Sequence, residues 1–257
     1  MSWNELRLPV CWAATVTLIL WGLLRFPMLV SARTDDVLIY YCLNAVQQAL
    51  VFGLPALLVL LARPGRWKTF RSSLRPVPLR ALGGFALLAA GGAVTLAVIA
   101  SLWSSLLQAW GYVPEANPLP NPETLGQWLL CLAAVALIPA ACEELLFRAL
   151  LQGTLRRYLP RAGVWIAAVA FAALHFRWEA FPALLLIGLT LGHVFIRYGY
   201  GGSLALHVLY NAAVLALSAA QPAVTLALLA ACCFLCFAAL RLLFGKELKN
   251  ETDRSGL

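Results

Sequence analysis

Two adjacent carboxylates and one guanidinium lie inside the apolar stretch from Pro139 to Gly153, as Glu143, Glu144 and Arg148. A charge within the hydrocarbon region costs roughly 2.5–3.5 kcal/mol on insertion scales unless it is paired or faces a polar cavity. Three such groups this close together need a reason. On a helix each residue turns about 100°. Glu144 and Arg148 are therefore on one face, as i and i+4, and can pair. Glu143 points about 100° away and lacks that partner. The spacing thus assigns Glu144–Arg148 as a structural ion pair and Glu143 as a working carboxylate facing the bundle interior. The competing reading is a single polar knot that holds helices together.

The three histidines fall in the C-terminal half. His175 closes the run Phe171-Ala-Ala-Leu-His175, with Phe171 one turn earlier on the same face. His207 and Asn211 are likewise one turn apart, in His207-Val-Leu-Tyr-Asn211. His193 reads as a membrane histidine satisfied by a local hydrogen bond. Two histidines, an asparagine and an unpaired glutamate on three helices are costly in lipid, and less so if all face one wet pocket. A desolvated Glu works as a general base near neutral pH. An imidazole beside it can share a water's proton, and a second His with an Asn amide can stabilise an oxyanion. That set suits hydrolysis of an amide by activated water. The same His and carboxylate groups could instead bind zinc, with His175 and His207 as ligands. Sequence alone does not separate the two.

The elements that must carry these residues are membrane helices. The 257 residues are 62% hydrophobic and only 12% charged, about half the charge of soluble domains, with a mean hydropathy of +0.84. Eight apolar spans can be drawn, at 9–31, 37–62, 81–110, 125–153, 162–176, 180–198, 201–219 and 221–244, most near the ~20 residues a crossing needs. The expected fold is an all-α polytopic bundle of about eight transmembrane helices. Residues 1–124 hold three helices and a basic cytoplasmic loop, 125–215 the catalytic core, and 216–257 the last helix and a tail. Most of the 19 Lys and Arg residues fall on one side if the N-terminus is inside, leaving only Arg33 and Arg177 in outside loops. Both termini are therefore expected in the cytoplasm. A cleaved signal peptide ending at Val30-Ser31-Ala32 is disfavoured by the length of the run before it and by Arg25.

The net charge of +8 points to the bilayer rather than nucleic acid as the anionic neighbour. The loop from Arg63 to Arg80, with Pro64, Pro76 and Pro78, reads as a headgroup-contacting segment, and Gly111–Thr124 as an extended outside loop. Seven cysteines, all in apolar segments, are not a disulfide framework, and Cys233-Phe-Leu-Cys236 is packing. Gly188-x-x-x-Gly192, Gly83-Gly84 and Gly91-Gly92 mark close helix contacts.

Glu143-Glu144-x-x-x-Arg148, Phe171-x-x-x-His175 and His207-x-x-x-Asn211, in this order on membrane helices, resemble the CPBP intramembrane proteases. These comprise the CAAX prenyl endopeptidases of the Ras-converting type and their Abi and bacteriocin-processing relatives. The resemblance covers about residues 125–215, and Tyr198-Gly-Tyr-Gly-Gly-Ser203 is similar to the family's stretch before its last histidine. It implies an eight-helix endopeptidase in which Glu143 and His175 activate water, His207 and Asn211 stabilise the oxyanion, and Glu144, Arg148 and Phe171 support the site. It leaves open whether zinc takes part. The implied partners are the bilayer and a peptide or protein substrate at the membrane: a prenylated protein, a leader peptide, a bacteriocin or a sorting signal. No oligomeric state follows. The basic, leucine- and tryptophan-rich composition suits a bacterial inner membrane, which is the expected location. The alternatives are a non-enzymatic immunity or scaffold protein, and a transporter or proton relay, for which no half-helix pair or inverted repeat is found.

One expectation is geometric. Counted at 1.5 Å per residue, Glu143 and His207 lie about 15 and 9 Å from the inner ends of their spans, and His175 about 20 Å. They can meet only if the short fifth span is tilted or begins below the membrane surface.

Overall fold

In lipid every backbone donor must be satisfied within the chain, which apolar runs of this length do as helices. The computed structural model describes residues 16–17, 20–21, 36–62, 64–114, 121–220 and 225–255, with side chains as far as 245. Every regular element among them is helical. The expected first span, 9–31, lies outside the described residues except for Val16, Thr17, Leu20 and Trp21, and with it Cys11, Arg25 and the signal-like end at Val30–Ala32. Much of the expected outside loop, residues 115–120, lies outside them too.

Eight helices are numbered here in chain order. The first, α1, is Val37–Leu61. It starts on Asp36, whose carboxylate accepts from the amides of Leu38 and Ile39. The polar α2, Pro64–Ser73, lies in the basic loop, and α3 is Leu79–Ala109. The site helix α4, Leu125–Leu155, opens with a capping box between Thr124 and Gln127. The short α5 is Ala162–Ala173. Residues Phe181–Ala220 form one helical run broken at Gly199, giving α6 (181–198) and α7 (200–220). The last, α8, is Leu226–Ser255, so the expected C-terminal tail continues the helix.

Among the described residues, five helical stretches are long and apolar enough to cross a membrane, and α5 is a shorter apolar helix. The run 178–220 counts once among the five, yet its break separates the two segments drawn from the sequence. Gly199 has φ 74° and ψ −167°, a conformation essentially confined to glycine. A Cβ there would lie 2.1 Å from the carbonyl oxygen of Ser73. The break is thus where the α2–α3 link presses its backbone onto the end of α6.

Two prolines reshape the helices around the site. Pro55 and Pro139 each lack an N–H, and each ring would crowd the carbonyl four residues earlier. The chain widens into π-helical turns just before both, at Ala49–Gly53 and Leu132–Leu137. The carbonyls of Ala134 and Val135, left short of a donor by Pro139, accept from the amides of Asn44 at 2.8 Å and Asn211 at 3.5 Å.

Of the glycines expected at close helix contacts, Gly84, Gly91, Gly188 and Gly192 make them, and Gly83 and Gly92 do not. Gly188 lies against the backbone of Ala168 on α5, and Gly192 against Val164 and Gln152. Gly91 faces the Cys232 carbonyl, and Gly84 faces Leu243, both on α8. Gly83 meets nothing, and Gly92 only touches Tyr210. The main core joins Val51, Phe85, Phe147, Phe171, Leu191 and Leu206 from α1 and α3–α7. Leu102, Trp110, Phe234 and Leu240 are exposed on the outer faces, the apolar exterior that a lipid environment requires. The six described cysteines are free.

Candidate active site

Glu143 ends the α-helical turn that follows Pro139, and Glu144 begins a nine-residue π-helical stretch, Glu144–Gln152. π turns re-aim side chains and recur at functional sites. Here the turn leaves both glutamates buried and pointed at different neighbours.

Glu144 is fully enclosed, as is Arg148. Arg148 Nε is 3.4 Å from Glu144 Oε2, the i,i+4 ion pair expected from the sequence. The guanidinium carbon also lies 5.2 Å from the centre of the Phe171 ring, close enough for the ring face to offset part of its burial. Glu144 has a further partner that the spacing did not reveal: His207 Nδ1 is 3.0 Å from its Oε1. Ser203, buried one turn before His207, donates to the Tyr200 carbonyl at 3.2 Å.

Glu143 makes no ion pair with arginine among the described residues. Its Oε2 is buried without a hydrogen-bond partner. His175 Nε2 lies 3.7 Å from it and His207 Nε2 3.8 Å. Both separations exceed a direct hydrogen bond.

The second nitrogen of each ring sets its tautomer. His175 Nδ1 is 2.6 Å from the Phe171 carbonyl. A carbonyl only accepts, so Nδ1 carries the proton and donates, and in the neutral ring the Nε2 lone pair faces Glu143. His207 Nδ1 likewise donates to Glu144. Phe171 sits between the two imidazoles, with ring centres 4.6 Å from His175 and 5.7 Å from His207. It braces both histidines as well as Arg148.

His175 lies just past the end of α5. The next residue, Phe176, has φ 54°, uncommon for a bulky side chain. Its ring stacks on Trp21 at 4.3 Å. The left-handed residue turns the chain away directly after the histidine. The expected meeting of the glutamate and the two histidines therefore occurs, on an α5 that is only 12 residues long.

Asn211 is one turn beyond His207 on α7, but its amide is directed at the Val135 carbonyl. His193 is exposed and bonds the Leu189 carbonyl at 2.8 Å, the satisfied histidine expected. Sequence reasoning passed over three neighbours. Gln152 is buried and donates to the Gly192 carbonyl at 2.9 Å, fixing α4 to α6. Tyr200 donates to the Ala141 carbonyl at 3.0 Å, behind Glu143. Ser203 is the third, and the recoverable signal was its position four residues before His207, on the same helical face.

The donor types around Glu143 are those zinc accepts, held within about 2.0–2.2 Å of one point. Among the described residues, however, no group of three or more His, Cys, Asp or Glu side chains is arranged to hold a metal ion. The residues as placed do not make a zinc cage.

Residues 125–213 match the family model described as Rce1-like, the type II CAAX prenyl endopeptidase Rce1-like family. The matched segment runs from the start of α4 into α7 and takes in Glu143, Glu144, Arg148, Phe171, His175, His207 and Asn211. It is the same segment on which the three motifs resemble the CPBP proteases. No curated protein and no solved structure matches the chain.

Proposed function

We propose that this integral membrane protein is an endopeptidase that hydrolyses a peptide bond with a water activated by Glu143 and His175. The observation that carries this reading is the convergence of His175 Nε2 and His207 Nε2 on the one buried, unbonded oxygen of Glu143. A water between them would give one hydrogen to the carboxylate and one to the His175 lone pair. As its oxygen attacks the scissile carbonyl carbon, a proton passes to Glu143. The C–N bond then breaks, and that proton goes to the leaving nitrogen, so the carboxylate is regenerated. A positioned general base supplies about 10²–10⁴-fold.

His207 serves the oxyanion. Its Nδ1–H is fixed on Glu144, so a proton at Nε2 would point into the site, with the Glu144 carboxylate as counter-charge. A single oxyanion donor contributes about 10²–10³-fold. Arg148 balances Glu144 and keeps that carboxylate in place. Asn211 becomes the second donor only by turning from Val135 toward the site when substrate binds.

The substrate class is a peptide segment presented at the membrane. A prenylated CAAX terminus is the form named by the matched family, and a leader or sorting segment has the same geometry of presentation. We assign cytoplasmic termini on the distribution of Lys and Arg, and a bacterial inner membrane on the basic, leucine- and tryptophan-rich composition.

The test is cleavage of a lipidated reporter peptide by the purified protein in liposomes. Glu143→Gln is expected to lower kcat/KM by about 10³ or more, and a chelator to leave the wild type unaffected. Loss of activity on chelation, restored by zinc, would overturn the metal-free mechanism. Unchanged cleavage by the Gln variant would overturn the assignment of Glu143.

A further inference from the structure

A cavity of about 370 Å³ opens at one end of the bundle, away from the glutamates and histidines. Three chain segments end there: the α2–α3 link, the C-terminal end of α4 and that of α6. Arg75, Arg156 and Arg157 line it, and no acidic residue does. Phe195 and Ile196 of α6 form an apolar wall. We propose that this cavity binds the phosphodiester headgroup of an anionic phospholipid, with the first part of an acyl chain against the apolar wall.

Two features favour a bound anion over a solvated charge cluster. Arg156 is half-buried at the cavity wall with its Nε enclosed and unpartnered, so its guanidinium is held at the wall rather than extended into water. Arg157 is already oriented, donating through Nη2 to Thr69 Oγ1 at 2.9 Å. Thr69 in turn donates to the Gly65 carbonyl, so α2 holds the guanidinium in position. Arg75 sits on the link pressed onto Gly199, whose Cβ position is 3.4 Å from Arg75 Nε. The site is therefore built by the same contact that breaks the α6–α7 run.

The lipid source is argued from placement and from the mixed lining. The cavity lies where membrane-crossing helices end, beside the segment 64–80 that also carries Lys68, Arg71 and Arg80. Basic pockets between transmembrane helices at this level recognise anionic headgroups. A free phosphate would have no use for the wall of Phe195 and Ile196. The cavity thereby joins the α2–α3 link to the end of α4, the helix that bears Glu143.

The test uses the purified full-length protein in detergent and native mass spectrometry. Phosphatidylglycerol is titrated against phosphatidylcholine of the same chain length, with inorganic phosphate as competitor. Phosphatidylglycerol is expected to be retained roughly tenfold more than phosphatidylcholine. Arg75→Gln, at an exposed position, should weaken that retention about fivefold. Arg156→Gln should weaken it about tenfold or more, and 10 mM phosphate (about that concentration) should not displace the lipid. Equal retention of the two lipids, or unchanged retention in Arg75→Gln, overturns the proposal, and the latter stands even if Arg156→Gln fails to fold. Displacement by inorganic phosphate assigns the cavity to free phosphate and overturns the lipid. The measurement does not involve Glu143, so it succeeds or fails independently of the protease reading.

Discussion

Glu143 and Glu144 are neighbours in sequence and both buried, yet loss of their charges should have opposite consequences. Glu144→Gln removes the counter-charge of Arg148, which is fully enclosed and whose ion pair is with Glu144. Stranding one member of a buried pair costs about 3–5 kcal/mol, a large share of the ~5–15 kcal/mol that holds a domain together. Glu143→Gln removes a charge that pairs with no arginine and whose nearest imidazoles are beyond hydrogen-bond reach. Its effect on stability should stay within about 1 kcal/mol, because the desolvation cost of the charge leaves with it. The double variant Glu144→Gln, Arg148→Met should recover at least about 2 kcal/mol relative to the sum of the single variants. Unfolding in detergent, followed by the fluorescence of the nine tryptophans, reads the wild type, the three single variants (Glu143→Gln, Glu144→Gln and Arg148→Met) and the double variant. If Glu143→Gln is as damaging as Glu144→Gln, or if the double variant is additive, the two carboxylates belong to one structural knot. The division of labour between them would then be wrong.

Two further outcomes follow from the helix irregularities. Gly199→Ala forces a Cβ toward the Ser73 carbonyl at 2.1 Å in a glycine-only conformation, and should cost about 1–3 kcal/mol or more; an unchanged melting temperature would mean that the break tolerates a side chain. Asn211→Ala leaves the Val135 carbonyl without its donor and should cost about 1–3 kcal/mol. If that variant keeps its stability and loses only kcat, the amide acts on substrate rather than on the α4 backbone.

The charged cluster and its pairing were legible because a helix turns by a fixed angle, so Glu144 and Arg148 had to share a face. The membrane helices were legible from length and apolarity, and Gly188 and Gly91 from spacing alone. What the sequence did not reveal came from the backbone leaving the regular helix. Pro139 is plain in the sequence, but the π turn before it, and the Asn44 and Asn211 amides that serve the freed carbonyls, depend on which helices come alongside. His207 was expected beside Glu143 as an oxyanion donor. That its other nitrogen rests on Glu144 depends on the π stretch after Glu143, which re-aims the second carboxylate toward α7. Gly199 was visible as one of several glycines near Tyr198, but its backbone conformation follows from the approach of the α2–α3 link, a long-range contact without local signature.

The most direct test of the proteolytic reading compares protein termini in membranes of cells carrying either the wild type or Glu143→Gln at equal levels. The expected result is a set of new termini, found by mass spectrometry, that appear with the wild type and are missing with the variant. Each should be reproduced by the purified wild-type protein acting on the corresponding peptide. Identical termini in the two membranes, in cells where the wild type produces a phenotype that the variant shares, would contradict it: the buried carboxylate would then serve structure, and the protein would act without cutting.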